Sequence, residues 1–152
     1  MPILFSLHLL SAVIWVGGMF FAYMALRPVA ASLLEPPVRL TLWAQVFTRF
    51  FPWVWAAVLL LLGTGLWMTF GIFSGMKYVG IHVHIMLLLG LIMMLIFFHI
   101  YFAPFRRLKL AVAASDWQTG GAKLGQIRKL IAVNLSLGLL VVLIAAAGRY
   151  LP

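Results

Sequence analysis

The sequence has no cysteine and only two carboxylate side chains, Glu35 and Asp116. The lack of cysteine excludes disulfide bonds, thiolate metal sites and redox-active thiols. Both carboxylates fall between the long apolar stretches, so they cannot form an acid–base pair or a catalytic triad within them. The chain also has no phosphate-binding glycine motif of a recognised type. Hydrolytic and nucleotide-dependent chemistry are therefore not expected.

Long apolar stretches dominate what is present. Hydrophobic residues make up 66% of the 152 positions, compared with about half in soluble domains. Four stretches, each near the roughly 20 residues that cross a bilayer, account for the excess: Ile3–Leu26, Phe50–Phe73, Ile81–Ala103 and Leu130–Gly148. We expect an all-α fold in which residues 1–152 form one integral-membrane four-helix bundle. The first stretch lacks a positively charged start and is expected to be a mature helix rather than a signal peptide.

The net charge of +9 is distributed unevenly between the two sides of such a bundle. The connections over residues 27–49 and 104–130 fall on one side and hold most of the basic residues: Arg27, Arg39, Arg49, Arg106, Arg107, Lys109, Lys123, Arg128 and Lys129. The opposite side holds Lys77 and Arg149. The positive-inside rule then predicts a multi-pass membrane protein with cytoplasmic basic loops and both termini outside. The basic loops would meet anionic lipid, so the expected partner is the bilayer and not nucleic acid.

The two basic connections carry further local signals. Pro28 and the pair Pro36-Pro37 predict an interruption after the first helix. In the segment Val38–Phe50, apolar residues recur at helical spacing, which predicts a short amphipathic helix on the membrane interface. In the second connection, Gly120-Gly121 predicts a break.

Four histidines lie within the apolar stretches. His8, His82 and His84 are expected at one depth near the outer surface, whereas His99 lies fifteen residues beyond His84, roughly 22 Å deeper at 1.5 Å per residue. Ionisable residues inside a bilayer are costly and usually have a partner or a ligand. Neutral imidazole is the commonest metal ligand and also serves as an axial ligand of haem iron. These histidines are therefore the candidate site.

Helical geometry and neighbouring residues leave alternatives for each histidine. His82 and His84 are about 200° apart on a helix, so only one of them can face a given partner. His99 could hydrogen-bond Asn134 and carry no ligand, and His82 could be an interfacial side chain. The small residues of Gly63-Thr64-Gly65 could either make room for a flat macrocycle or permit close helix packing.

Several short motifs resemble a known family. The stretch from Leu7 to Gly18, with His8 followed by Trp15, is similar to the first helix of the copper-resistance protein D (CopD) family and of the related HemJ family of protoporphyrinogen oxidases. Gly65-Leu66-Trp67 and Gly80-Ile81-His82-Val83-His84 continue the resemblance, as does His99 with the basic run at Arg106-Arg107. The HemJ resemblance implies a b-type haem, with His8 as a ligand and His82 as a second functional histidine, although His84 stands where that family has a lysine. The CopD resemblance implies copper handling across the inner membrane.

The main hypothesis is a haem b redox protein with His8 and His84 as axial ligands. Trp15, seven residues after His8 on the same helix, is a further candidate cofactor-binding residue, and Lys77 and Arg149 would hold the propionates. Electrons would pass to or from a quinone, a porphyrin or a separate electron-transfer partner, and a homo-oligomer is compatible with the sequence. Whether the protein is an enzyme stays open; an enzyme of this kind would be an oxidoreductase.

The alternative hypothesis is copper binding or transport through outer-leaflet histidines. His82 and His84 would join His8 in one site if the start of the third helix were unwound, and His99 is a further candidate ligand. High-affinity copper(I) sites commonly use cysteine or paired methionines, which are lacking at the entrance. A third hypothesis is an accessory subunit whose histidines only pack.

Overall fold

A computed structural model describes residues 2–150, with the side chain of Arg149 excepted. The described chain is helical and contains no strand. Six α-helices follow one another: α1 (Pro2–Phe21), α2 (Arg27–Leu33), α3 (Pro36–Leu66), α4 (Ile81–Phe102), α5 (Pro104–Ala113) and α6 (Trp117–Ala147). Two π-helical segments, Ala22–Leu26 and Trp67–Ile72, extend α1 and α3, and short 3₁₀ turns cover Met76–Tyr78 and Gly148–Tyr150. The predicted all-α class is confirmed.

Four helical rods within the described chain are long and apolar enough to cross a membrane: Pro2–Leu33, Pro36–Ile72, Ile81–Ala113 and Trp117–Ala147. The shortest has 31 residues and is about 46 Å long at 1.5 Å per residue. This exceeds the roughly 30 Å of hydrocarbon in a bilayer. Each rod therefore continues beyond the apolar layer.

Contacts between the rods establish an antiparallel arrangement. His8 near the start of α1 meets Thr64 near the end of α3, and Gly18 lies against Phe50. In the other pair, the Asn134 amide reaches the carbonyl of Met93, and His82 lies against Gly148. Successive rods thus run up and down, so the starts of α1 and α4 and the ends of α3 and α6 share one end of the bundle. We call this the histidine end, and the opposite end the basic end.

At the basic end, the expected interruption at Pro28 is wrong, whereas the one at Pro36-Pro37 is seen. The chain passes through the Arg27-Pro28 pair without leaving the helix, because the turn before it widens into the π-helical segment Ala22–Leu26. A proline ring inside a helix clashes with the carbonyl four residues earlier, and the wider turn removes that clash. The chain reverses only at Leu34 and Glu35, which are extended, before Pro36 starts α3.

A separate interfacial helix is not confirmed. Residues 38–50 form the first half of α3, and their apolar stripe is covered by protein: Leu40 and Phe47 are 2% exposed and Trp43 is 6% exposed. Phe47 meets Phe105 of α5 edge to face, with ring centroids 6.0 Å apart. The stripe is therefore part of the core rather than a lipid-facing surface.

The second basic connection is a helical hairpin. Ala103, the residue before Pro104, leaves the helical region and separates α4 from α5, as expected for a residue that precedes proline. Ser115, in the turn between α5 and α6, adopts a left-handed backbone with a φ of 55°. Asp116 then caps α6 by accepting a hydrogen bond from the backbone N–H of Thr119 at 3.1 Å. Gly120 does not break α6, and a side chain there would come within 3.3 Å of Leu40. Its role is close packing.

The core is concentrated toward the basic end. Aromatic rings of α3, α4 and α5 interlock there, for example Phe51 with Phe105 at 4.8 Å and with Phe97 at 5.4 Å between centroids. Leu108 and Ile127 are fully buried. At the histidine end, by contrast, no described residue of the segments 2–10, 81–92 or 139–147 is buried. The side chains of His8, His82 and His84 are accordingly only half-buried.

Candidate metal-binding site at the histidine end

His8 is fixed to α3 by one hydrogen bond. Its Nδ1 lies 2.8 Å from the hydroxyl oxygen of Thr64. That hydroxyl donates its single hydrogen to the carbonyl of Leu60, four residues earlier on the helix. Thr64 can therefore only accept from His8, so the neutral imidazole carries its proton on Nδ1. Its Nε2 keeps a free lone pair, the form in which imidazole binds metals.

A glycine makes this contact possible. A Cβ at Gly65 would lie 3.3 Å from Cε1 of His8, which is tighter than most real contacts of this kind. The imidazole of His8, which is half-buried, therefore rests against the backbone of α3. The π-helical segment Trp67–Ile72 begins directly after this contact, and Thr69 donates its hydroxyl to the carbonyl of Gly65. Such widened turns occur frequently at functional sites.

His84 has the same tautomer as His8, but a different hydrogen bond fixes it. Its Nδ1 lies 3.2 Å from the carbonyl oxygen of Gly80, one turn earlier. Since a carbonyl can only accept, Nδ1 is the protonated nitrogen and Nε2 again keeps its lone pair. His84 is half-buried. A backbone carbonyl on the other ring nitrogen is also the usual outer partner of a histidine that binds a metal.

The side chain of His82 packs against the end of α6. It lies against Gly148 at the end of α6, where a Cβ would come within 2.6 Å of the Cβ and Cγ atoms of His82. The ring also folds back over Gly80. No hydrogen bond involves the ring within residues 2–150. His82 thus fastens the start of α4 to the end of α6, on a different face from His84, as the helical spacing predicts.

The structure does not gather His8, His82 and His84 into one three-histidine site. Within the described part of the chain, no three histidine or carboxylate side chains lie close enough to hold one metal ion. The start of α4 is helical from Ile81 onward, so the unwinding required for His82 and His84 to act together is not seen. His8 faces α3, which packs against α1, whereas His84 lies on α4, which packs mainly against α6.

The other residues of the predicted site are dispersed. His99 is exposed near the basic end of α4, and its predicted partner Asn134 instead donates to the carbonyl of Met93 at 3.3 Å. Trp15 is buried and packs edge to face on Phe97, with centroids 6.2 Å apart. Lys77 is exposed in the turn before α4. The side chain of Arg149 lies outside the described atoms.

The electrostatic environment of the histidine end is free of negative side chains. Glu35 precedes α3 and Asp116 precedes α6, so both carboxylates are at the basic end. Among the described side chains, a ligand at the histidine end would therefore meet no carboxylate, and Lys77 is the basic residue described there. The sequence singles out Gly63-Thr64-Gly65 as a small-residue segment but does not identify Thr64 as the partner of His8.

Comparison with known proteins identifies the family. The model of the copper resistance protein D (CopD) family matches residues 44–147, which include Thr64, His82, His84 and His99 but begin after His8. No curated protein and no solved structure matches the chain significantly. The resemblance to HemJ is not confirmed. Since the match extends over more than half of the sequence, the chain belongs to the copper resistance protein D family.

Proposed function

We propose that this protein binds copper ions at the histidine end and handles them at the membrane, with Nε2 of His8 and Nε2 of His84 as the ligands. Copper is here the cargo of the protein. The observation that carries the proposal is the hydrogen-bond chain from His8 through Thr64 to the carbonyl of Leu60, which leaves Nε2 of His8 free to bind. Membership of the CopD family supports copper over haem b.

The chemistry of the donors favours copper(I). Imidazole suits copper, and the chain offers no thiolate. No carboxylate lies at the histidine end to neutralise a bound ion. The cost of taking an ion out of water rises with the square of its charge, so a monovalent ion is easier to hold among neutral ligands than a divalent one. Met68 and Met76, both half-buried near this end, offer further thioether donors.

The direction of copper handling follows from charge. Under the positive-inside rule the basic end faces the cytoplasm, so the histidine end faces outward in a bacterial inner membrane. Copper would then meet His8 and His84 from outside the cell. His8 and His84 are both only half-buried, which supports access of an ion to their rings.

The haem b hypothesis is the second candidate, because the same two Nε2 lone pairs could serve as axial ligands. One measurement separates the two proposals. The visible absorption spectrum of the detergent-purified protein is recorded before and after dithionite. We expect no Soret band; a Soret band that sharpens into α and β bands on reduction, and that is lost in His8→Ala, would contradict the copper proposal.

The direct test is a copper(I) competition titration against a chromogenic chelator under reducing conditions. His8→Ala and His84→Ala should each weaken copper(I) binding by about 100-fold or more, beyond the 10- to 100-fold typical for outer partners of a metal ligand. His99→Ala is the matched control and should bind as the wild type does, because its ring is exposed far from the site. Zinc(II), which prefers four ligands, should compete poorly. Equal affinity in all three variants would overturn the ligand assignment.

A further inference from the structure

A second set of side chains that the proposed copper site does not use lies at the basic end. Here a pocket of about 340 Å³ opens between the first rod, α3 and the beginning of α6. Three arginines line it, namely Arg27, Arg39 and Arg128. They come from three different helices, α2, α3 and α6, and are far apart in sequence. No carboxylate is among the lining residues.

Most N–H donors of the three guanidinium groups have no acceptor among the described residues. Arg27 gives Nε to the carbonyl of Tyr23 at 3.2 Å and lies over the Tyr23 ring at 4.4 Å. Arg39 reaches only the carbonyl of Ala31, at 3.4 Å. Arg128 makes no hydrogen bond within residues 2–150. Because each guanidinium carries five N–H donors, most of the donors of this group are without a protein acceptor.

The charge of this group is also uncompensated. Glu35 is four residues before Arg39 and is exposed, yet no ion pair forms between it and any described basic residue. Three cations with unused donors around one pocket form a receptor for an anion, and guanidinium forks match the paired oxygens of phosphate. The ligand chemistry that fits is therefore a phosphate group.

The pocket continues into an apolar space. Its wall includes Leu40, Trp43, Phe47 and Ile131. Phe47, Ile131 and Ala22 also line a neighbouring cavity of about 310 Å³ deeper in the bundle, which is almost wholly apolar. A ligand that places its phosphate at the arginines can thus lay an apolar chain along this wall. A free phosphate ion would leave the wall unused.

We infer that the pocket formed by Arg27, Arg39 and Arg128 is a specific binding site for one anionic phospholipid. The headgroup phosphate lies among the three guanidinium groups, and an acyl chain follows the apolar wall toward the bundle interior. Basic pockets between membrane helices are known to take anionic headgroups in this way. The site does not depend on the copper proposal.

General attraction of anionic lipid to the basic end is the competing explanation, and the chain supplies a matched control for it. Arg106 and Arg107 of α5 are exposed at the same end of the bundle but do not line the pocket. A double variant Arg39→Gln/Arg128→Gln and a double variant Arg106→Gln/Arg107→Gln remove the same charge. Only the first pair changes the pocket.

The experiment is native mass spectrometry of the full chain in detergent, titrated with dioleoylphosphatidylglycerol. We expect the wild type to bind one lipid molecule in preference to further ones. Arg39→Gln/Arg128→Gln should weaken this first binding step by about 10-fold or more, since charge-assisted hydrogen bonds are lost. Arg106→Gln/Arg107→Gln should retain the wild-type affinity. Equal weakening in both double variants, or binding without a preferred first step, would overturn the proposal.

Two further titrations of the wild type need no variant and therefore do not depend on a variant folding. Dioleoylphosphatidylcholine has the same chains and a phosphate, but its headgroup carries a compensating cation, so it should bind more weakly. Inorganic phosphate should raise the midpoint of thermal unfolding less than the anionic lipid does. If inorganic phosphate stabilises the protein equally, the ligand is a free anion and the lipid assignment is wrong.

Discussion

The hydroxyl of Thr64 accepts the Nδ1–H of His8 at 2.8 Å while donating to its own helix, and this one contact joins α1 to α3 at the histidine end. It fixes both the position and the tautomer of the imidazole. Gly65 and the widened turn after it provide the room. The candidate ligand is thus held by a rigid element rather than by a loop.

Replacing Thr64 by valine is expected to weaken copper(I) binding without removing a ligand. Valine has nearly the same shape but no acceptor, so the proton of His8 is no longer confined to Nδ1. Loss of such an outer partner typically lowers metal affinity by about 10- to 100-fold. The chelator competition titration measures the change. Thr64→Ser retains the hydroxyl and should restore most of the affinity; a Thr64→Val variant with wild-type affinity would argue against this role of Thr64.

Gly65→Val tests the space for the imidazole. A Cβ at this position already lies 3.3 Å from Cε1 of His8, so the added methyl groups of valine must displace the ring. We expect copper(I) affinity to fall by about 10-fold or more, as for loss of an outer partner. Gly63→Val is the control, because nothing lies within 4 Å of a Cβ there. If both variants bind copper equally well, His8 does not need this position against α3.

The number and approximate positions of the membrane-spanning helices could be predicted from the sequence because roughly 20 consecutive apolar residues have few other uses. The helical character of the basic connections could not. Pro28 and Gly120-Gly121 are breakers by local preference, but a π-helical turn accommodates Pro28 and packing near Leu40 requires Gly120. The first case depends on a local change of helix type, and the second on a contact between segments far apart in sequence.

The candidate site was only partly readable from sequence. Helical angles correctly separate His82 from His84, since both lie in a regular α4. The partner of His8 could not be predicted, because it depends on the register of α1 against α3, which no single-sequence pattern specifies. The same reason explains why Asn134 binds the carbonyl of Met93 rather than His99.

Gly138 is expected to be a tight packing position. A Cβ there would lie 2.9 Å from Cγ2 of Val16 and 3.1 Å from Cε of Met93, and the branched Val16 cannot easily move away. Gly138→Ala should lower the free energy of unfolding by about 1–3 kcal/mol, the usual cost of overpacking. Gly90→Ala meets nothing within 4 Å and should instead gain up to about 1 kcal/mol of helix propensity. Reversible unfolding in detergent measures the change in the free energy of unfolding for each variant. Changes of the same sign in both variants would contradict the packing role of Gly138.

Asp116 should give the protein a pH-dependent increment of stability. The hydroxyl of Thr119, and next its backbone N–H, lower the pKa of the Asp116 carboxyl below its ordinary value. A carboxyl whose pKa is lowered on folding stabilises the folded state above its unfolded-state pKa, and this contribution is lost as the pH falls through the folded-state value. The thermal midpoint of the wild type should therefore exceed that of Asp116→Ala near neutral pH. The difference should narrow below about pH 4, and a constant difference would show that ionisation plays no part.

The orientation in the membrane can be tested directly because the chain contains no cysteine and gives no background in thiol labelling. Lys77 at the histidine end and Gln118 at the basic end are both exposed. If the basic end faces the cytoplasm, Lys77→Cys should react with a membrane-impermeant maleimide in spheroplasts, whereas Gln118→Cys should react only after the membrane is opened. The reversed pattern would place His8 and His84 on the cytoplasmic side. Copper would then meet these ligands from inside the cell, and the proposed direction of copper handling would have to be reversed.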